Sequence, residues 1–473
     1  MRLLLVEDDI TFAKIVVRAL EKVPGCEVVW SQGRNDALAA LDQAYFELVL
    51  LDRAIPSAKD VLDAAVDHGW AVFEAIRTQY PGTCVWFLTG AEDADFATQV
   101  LNNCSRGGDV HGTGTPEPMY RVFWKKKMPE CIAQVQAFAT QRATLDGIAI
   151  QFDGTRPLHA MEKQVIRLFG RRHAGAVAQV TALSGGLSDS RVLKVILRHA
   201  DQRFITSAVA KVSSLPAIDD EGSRYRHDVV RLTTGGFPTL SQTISVGAGD
   251  RGGLFYGMVG QTVVSLFDRI VDNHPSVPSI PQLIRAIEDP WYQGRGSENV
   301  QVARIRRLII PDTDLPAIAA ELGAIDINQV DAVQIQAAAC CQHGDMHCAN
   351  VMFDDRGQPM LIDFGDVGQS FACVDPVTLE LSTIFHLQAQ RLPRSWPTEA
   401  LLANWADLDA YVADCPYADF IRACRQWALA VAASPKEMYA VGYGYGLRQL
   451  KYGDTNKAFA RELIRACIAQ LSN

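Results

Sequence analysis

Short apolar runs alternate with amphipathic stretches over the first third of the chain. Leu3–Val6, Glu27–Trp30, Leu48–Leu51, Cys84–Leu88 and Val122–Trp124 have the length and residue types of strands. Phe12–Val23, Asn35–Ala44 and Trp70–Tyr80 carry helical spacing between them, and Pro129 opens a helix that runs to about Arg142. This order predicts a five-stranded, parallel, doubly wound α/β sheet over 1–142, with functional groups gathered at the carboxyl ends of its strands.

The period changes after a stretch, 143–158, that reads as a linker. His159–Arg172 has helical spacing. Strand patterns follow at Ala176–Leu183, Arg191–Arg198 and Phe204–Ser213, then a helix pattern at Asp219–Leu232, then strands at Leu240–Val246 and Leu254–Val259. From Val264 onward helices dominate, apart from one hairpin signal over Val351–Asp363. The pattern predicts an α+β domain of two lobes: a β-rich lobe with a leading helix over 159–262, and a larger helical lobe over 263–473.

Composition narrows the class. A length of 473 residues is too great for one core. Hydrophobic residues at 48% and charged residues at 21% are ordinary for globular protein. A net charge of −9 argues against nucleic-acid binding through overall charge. Lys125-Lys126-Lys127 is the one compact basic run, and reads first as a solvated strand end. The 11 cysteines are scattered, with no CxxC pair, as expected of reduced thiols. The apolar run after Met1-Arg2 meets Glu7, Asp8 and Asp9 at once, unlike a signal peptide, and no apolar stretch is long enough for a bilayer. The expectation is a cytoplasmic protein with neither a membrane nor a nucleic-acid partner.

Three carboxylates stand out in the first domain. Glu7 and Asp8 lie just past the first strand, and Asp52 ends the third. Neighbouring parallel strands would bring them to one rim, where crowded carboxylates call for a hard cation such as Mg²⁺. Thr89 ends the fourth strand and Lys125 the fifth, so a hydroxyl and an ammonium join the same rim. These residues resemble the response-regulator receiver family over roughly Met1–Arg142. The resemblance implies Asp52 as phosphoacceptor, Glu7 and Asp8 with Asp52 as the metal pocket, and Thr89 with Lys125 (or Lys126) as phosphate contacts. It also implies a histidine kinase as phosphate donor and allows a homodimer through the receiver. Pro56 fits the pattern, whereas the long segments Ser57–Asp67 and Asn103–Met119 depart from it.

The most specific motif is HGDMHCANVMFD followed by LIDFGD. Val351–Phe353 and Met360–Ile362 flank a turn, Asp354-Asp355-Arg356-Gly357, which predicts a β-hairpin. Asn350 precedes its first strand and Asp363 follows its second, so the two become neighbours. An amide oxygen and a carboxylate at one spot suit Mg²⁺ on nucleotide phosphates, and Asp345 on the entering loop can accept a hydroxyl proton. The pattern resembles the catalytic centre of the aminoglycoside phosphotransferase and choline kinase superfamily, which has a protein-kinase-like fold. His-Gly-Asp favours this group over protein kinases with His-Arg-Asp. The resemblance implies Asp345 as base, Asn350 and Asp363 as metal ligands, His343 as a structural prop, and ATP and Mg²⁺ as cofactors.

Upstream, Ser184, Gly185, Gly186 and Ser188 connect two strands, where small residues would let backbone N–H groups approach phosphates. Lys211 would reach the phosphates, and Glu221, at the opening of the next helix, would pair with it. Cys340, Cys341, His343, His347 and Cys348 offer zinc ligands, but lack the paired spacing of a zinc site. Asp375-Pro376 and Glu380 read as braces of the catalytic loop. Three functions stay open: a receiver-regulated phosphotransferase with a small-molecule acceptor, a nucleotide-binding scaffold, and a kinase acting on protein. Trp396, Trp405, Tyr411, Trp427 and Tyr439–Tyr445 supply aromatics, which read first as helix packing.

Overall fold

A computed structural model describes all residues except 91–95, 97–106, 184–189, 261–263, 324, 394 and 473. The chain forms two compact units, Met1–Gly222 with Thr239–Met258, and Ser223–Pro238 with Val259–Asn473.

The first unit begins with strands β1 (Arg2–Val6), β2 (Glu27–Ser31), β3 (Leu48–Asp52), β4 (Cys84–Thr89) and β5 (Tyr120–Trp124). All are parallel, in the order β2-β1-β3-β4-β5. Leu3, Leu4, Leu5 and Val6 are all fully buried, as continuous apolar strands covered on both faces must be. Helices α1 (Ile10–Leu20), α2 (Arg34–Gln43), α3 (Val66–Gln79) and α4 (Met128–Asp146) accompany the sheet. α1 starts before the expected Phe12 because Asp9 caps it, accepting from the N–H groups of Thr11 at 2.9 Å and Phe12 at 3.0 Å. α3 can lie against the backbone after Asp52 because residue 69 is glycine. A Cβ there would stand 2.3 Å from the Arg53 carbonyl oxygen.

The same unit continues into a second sheet: β6 (Ala149–Asp153), β7 (Val177–Ala182), β8 (Arg191–Arg198), β9 (Phe204–Ser214), β10 (Leu240–Ile244) and β11 (Arg251–Gly257). Its order is β10-β11-β9-β8-β7-β6, antiparallel except for the β6–β7 pair. The stretch 143–158, expected to be a linker, therefore holds the end of α4 and the edge strand β6. Only Ile150 and Phe152 of β6 pack on the core, too short an alternation to mark a strand. Helix α5 (Ala160–Arg172) follows, capped where the His159 N–H donates to Glu162 at 2.8 Å. Helix α6 (Leu215–His227) begins before the expected Asp219, because Leu215 and Ile218 are core residues.

The two sheets are joined by backbone as well as by chain. The Gly82 N–H donates to the Gly249 carbonyl at 2.7 Å, and the Gly247 N–H to the Gly82 carbonyl at 2.9 Å. A Cβ on Gly82 would stand 2.6 Å from the Gly249 oxygen, so only glycine permits this approach. Beside it the buried Arg142 meets Glu47 at 3.1 Å. Glu47 precedes β3 and Gly82 precedes β4, so this junction uses the amino-terminal rim of the first sheet. The carboxyl rim, with Asp52, is the opposite one.

In the second unit an antiparallel sheet of Gly296–Gln301, Gln334–Gln342 and Gly368–Phe371 went unanticipated. Its central strand, QIQAAACCQ, is built on alanine and cysteine rather than β-branched residues. The expected hairpin is present as Val351–Phe353 paired with Pro359–Leu361, and Val264–Ser265 adds a third strand. Helices Ile280–Tyr292, Val374–Phe385, Ala418–Val431, Pro435–Gln449 and Lys457–Ser472 make up much of the rest. Inside them Glu380 is fully buried, and accepts from Arg425 Nη2 at 3.0 Å and Trp405 Nε1 at 2.8 Å. Among the described residues no helix is long and apolar enough to cross a membrane.

The junction sets a stability test. Arg142→Ala leaves Glu47 without its buried partner and should cost roughly 2–4 kcal/mol. The exposed Arg172–Asp109 pair, also at the junction, is the control, and Arg172→Ala should cost about 1 kcal/mol or less. Urea unfolding of both variants checks this; equal losses would remove Arg142 from its role.

Candidate functional sites

Glu7, Asp8 and Asp52 converge as expected. Each offers a carboxylate oxygen, and these lie within 4.8 Å of one another. Glu7 is fully buried, and Asp52 is nearly so. Burial, reinforced by the Asp52 charge, pushes the Glu7 carboxyl up to about 7. Burial also raises Asp52, against the pull of Lys125. Lys125 Nζ lies 2.8 Å from Asp52 Oδ2 and 2.8 Å from Glu7 Oε2. Burial works against its charge, but these two carboxylates outweigh it and hold the ammonium up. Lys125 is thus the basic residue of the run that turns inward, whereas Lys126 is exposed. Thr89 is buried at the end of β4, in register with Trp124, one residue before Lys125. Oxygen ligands crowded this closely fit a hard divalent cation. The long segment after β3 is closed on itself: Ile55 bridges Ala65, and the Ser57 N–H donates to Asp63 at 2.8 Å.

In the second unit the catalytic-loop sequence is held from below. Fully buried Asp375 accepts from the N–H groups of His343 at 2.6 Å and Gly344 at 2.9 Å. Burial and the Asp375 charge push the neighbouring Glu288 carboxyl well up, and burial raises Asp375 too, against the pull of His343 and the two N–H groups. Gly344 has φ +84°, and a Cβ there would stand 2.6 Å from the Asp366 carbonyl oxygen. The glycine of His-Gly-Asp is therefore required by the backbone. His343 Nε2 lies 3.0 Å from the Ile362 carbonyl oxygen, propping the residue before Asp363. Asp363 itself sits at φ +65°, a costly conformation outside glycine.

This arrangement brings Asn350 and Asp363 to one place. The Ile362 N–H donates to the Asn350 carbonyl at 3.0 Å. Asn350 Nδ2 donates to the Asp345 carbonyl at 3.0 Å, which leaves its side-chain oxygen as the end available to a cation. An amide oxygen beside a carboxylate fits Mg²⁺. The Asp345 side chain is about a third exposed, with His347 Nε2 at 3.6 Å and Arg448 Nη2 at 3.2 Å. Burial would raise Asp345, but His347 and Arg448 outweigh it and hold the carboxyl below its usual range. Burial lowers His347 itself, so the permanent charge beside Asp345 is that of Arg448. Arg448 lies far along the sequence in helix Pro435–Gln449, and no motif pointed to it.

Lys211, in β9, forms an ion pair with Glu221 at 2.7 Å. Tyr256 donates to the other Glu221 oxygen at 2.9 Å, a partner the sequence did not suggest. Glu221 lies in the middle of α6 rather than at its opening, so it serves no helix-dipole role. Ser184, Gly185, Gly186 and Ser188 lie outside the described residues. The zinc alternative fails: among the described residues Glu7, Asp8 and Asp52 form the one such group of three or more potential metal ligands. Burial pushes the Cys340 thiol up to about 12, and Cys348 contacts Ser382 in the core.

Comparison with known proteins agrees with both halves. The family model described as response regulator receiver domain matches residues 3–105, and that of the phosphotransferase enzyme family matches 277–401. No curated protein matches the chain. A CheY-like receiver domain protein from Methanospirillum hungatei JF-1 is 20% identical, covering 30% of this chain and 96% of that one, with a TM-score of 0.22. The signal receiver domain of a Luxo repressor protein from Vibrio parahaemolyticus is 17% identical, covering 31% and 97%, with a TM-score of 0.23. Choline kinase LicA from Streptococcus pneumoniae is 12% identical, covering 62% and 94%, with a TM-score of 0.33. The chain thus carries one stretch, 3–105, similar to response regulator receiver domains and another, 277–401, similar to the phosphotransferase enzyme family.

Proposed function

We propose that this protein is a cytoplasmic signalling kinase that transfers the γ-phosphate of ATP to a hydroxyl acceptor, under control of phosphorylation at Asp52. The observation that carries this reading is the loop on which Asp345, Asn350 and Asp363 are gathered and braced. Asp345 is assigned as the base that orients the acceptor hydroxyl and takes its proton. Asn350 and Asp363 are assigned to a Mg²⁺ ion, which would neutralise charge on the nucleotide phosphates. Lys211, held by Glu221, is assigned to nucleotide phosphate.

Control by the receiver has a physical route within the first unit. Its amino-terminal rim is hydrogen-bonded, through Gly82, to the loop at 247–249. Next to that loop the Asp250 carbonyl accepts from the N–H of Leu215 at 2.8 Å, and Leu215 is the first residue of the helix that carries Glu221. A shift of the receiver would therefore bear on the partner of Lys211. The phosphate donor is assigned as a histidine kinase, and the Asp52 rim is the one free of this junction. A scaffold that binds nucleotide without transfer is the competing reading, favoured by the ion pair that already occupies Asp345.

Wild-type protein given Mg²⁺ and a small acyl phosphate should gain a base-labile phosphoryl group, and Asp52→Asn should not. MgATP turnover should respond to the modification only in the wild type. Equal labelling of both proteins would remove Asp52 from the role.

Asp363→Ala should abolish Mg²⁺-dependent nucleotide binding while the protein stays folded by circular dichroism. Unchanged MgATP affinity in the folded variant refutes the metal assignment.

Asp345→Asn should leave ATP affinity nearly intact and lower transfer by about 10²–10⁴-fold, the usual worth of positioned acid–base catalysis. A scaffold would instead keep its cellular output in Asp345→Asn. Retained output, with no detectable transfer by either protein, overturns the enzyme reading.

A further inference from the structure

The surroundings of Asp345 carry information about the acceptor. Arg448 spends Nη2 on Asp345 at 3.2 Å and Nε on the Tyr452 hydroxyl at 3.2 Å. Its remaining nitrogen, Nη1, makes no hydrogen bond among the described residues, and the side chain is 30% exposed. His347 stands on the other side of Asp345, and the His386 ring lies 4.5 Å beyond it. The acids nearby are already committed. Asp375 is spent on backbone N–H groups, and Asp363 is assigned to the metal. A cationic acceptor would have to place its charge beside a fixed guanidinium, with only Asp345 to compensate. An anionic one would meet an open edge of the residue best suited to carboxylate and phosphate.

We propose that the acceptor is an anionic alcohol, a small molecule whose hydroxyl lies near a carboxylate or a phosphate, and that Arg448 selects it. The proposal rests on the reading of Asp345 as the base. Arg448 Nη1 takes the anionic group, while Nη2 stays on Asp345 Oδ1. The acceptor hydroxyl gives its proton to Asp345, and its oxygen bonds to the γ-phosphorus of ATP. The bond from that phosphorus to the β–γ bridging oxygen breaks, and its electron pair leaves with ADP. The products are a phosphate ester, ADP and one proton, which passes from Asp345 to solvent.

The test is binding, read without nucleotide by calorimetry on the full chain. Four alcohols of one backbone serve as probes: glycerol phosphate, glycerate, glycerol and aminopropanediol. At least one of the two anions should bind about ten-fold or more tighter than glycerol and aminopropanediol, in line with a charge-assisted contact. Which anion leads tells phosphate from carboxylate. Arg448→Met should abolish the preference, and Arg448→Lys should keep part of it, because the charge remains and the fork is lost. Thermal melting confirms that both variants fold. The proposal falls if aminopropanediol or glycerol binds as tightly as the anions, if no anion binds, or if folded Arg448→Met keeps the preference. Turnover of MgATP, and its dependence on Asp363, is measured in parallel. Its absence counts against the kinase reading alone.

Discussion

Buried carboxylates are expensive unless every lone pair is spent, and Asp375 spends its own on the backbone of the catalytic loop. Its two oxygens accept from the N–H groups of His343 and Gly344, deep in the second unit. Charge-assisted bonds of this kind fix direction as well as distance. They orient Gly344 into a conformation that residues with a Cβ avoid, and the chain emerges with Asp345 turned to solvent. His343 then holds the Ile362 carbonyl, which positions Asp363. Asp345, Asn350 and Asp363 therefore owe their placement to a residue thirty positions downstream of the first of them. The brace stores no chemistry of its own, yet every polar group of the site is referenced to it.

The receiver rim solves the opposite problem. Its three carboxylates are crowded together, and the Lys125 ammonium stands between Asp52 and Glu7. A phosphoryl group on Asp52 would add negative charge where Lys125 and Thr89 stand, and would compete with Glu7 for the same ammonium. A cation among the three carboxylates would release that competition. The site is thus poised by crowding, whereas the catalytic loop is fixed by saturation. The proposed chemistries differ accordingly: one would change its contacts when modified, and the other would hold still through turnover.

Much of this was legible from residues alone because the relevant groups sit at strand ends. Glu7, Asp52, Thr89 and Lys125 each follow an apolar run, so a parallel sheet gathers them with no further information. Asn350 and Asp363 flank a hairpin, which does the same. Arg448 was hidden for the converse reason. It occupies one face of a long helix whose sequence, PKEMYAVGYGYGLRQ, has no local sign of a site. Tyr256 as a partner of Glu221 was hidden because it is a contact between a strand and a helix, which no local spacing marks. The sheet around Gln334–Gln342 was missed because alanine and cysteine give no strand preference, and packing alone selects the extended form there. Edge strand β6 was missed because three of its five residues face solvent.

The junction in the first unit leaves the Asp52 rim clear. Gly82, Arg142 and Glu47 lie at the opposite rim, so docking would not compete for surface with the proposed phosphorylation of Asp52. The body of the sheet and α4, which starts after Lys125 and carries Arg142, both run from one rim to the other, and the core strands are fully buried, with little freedom to deform independently. A receiver attached by backbone hydrogen bonds at Gly82, next to the loop that meets Leu215, is suited to small, rigid displacements. The Lys211–Glu221 pair at 2.7 Å is sensitive to displacements of that size, because a shift of about one ångström takes it past hydrogen-bond distance and weakens its Coulomb attraction by about a quarter. A small shift at one rim can then be read as a change of charge pairing at the end of a short chain of contacts, with no large motion required.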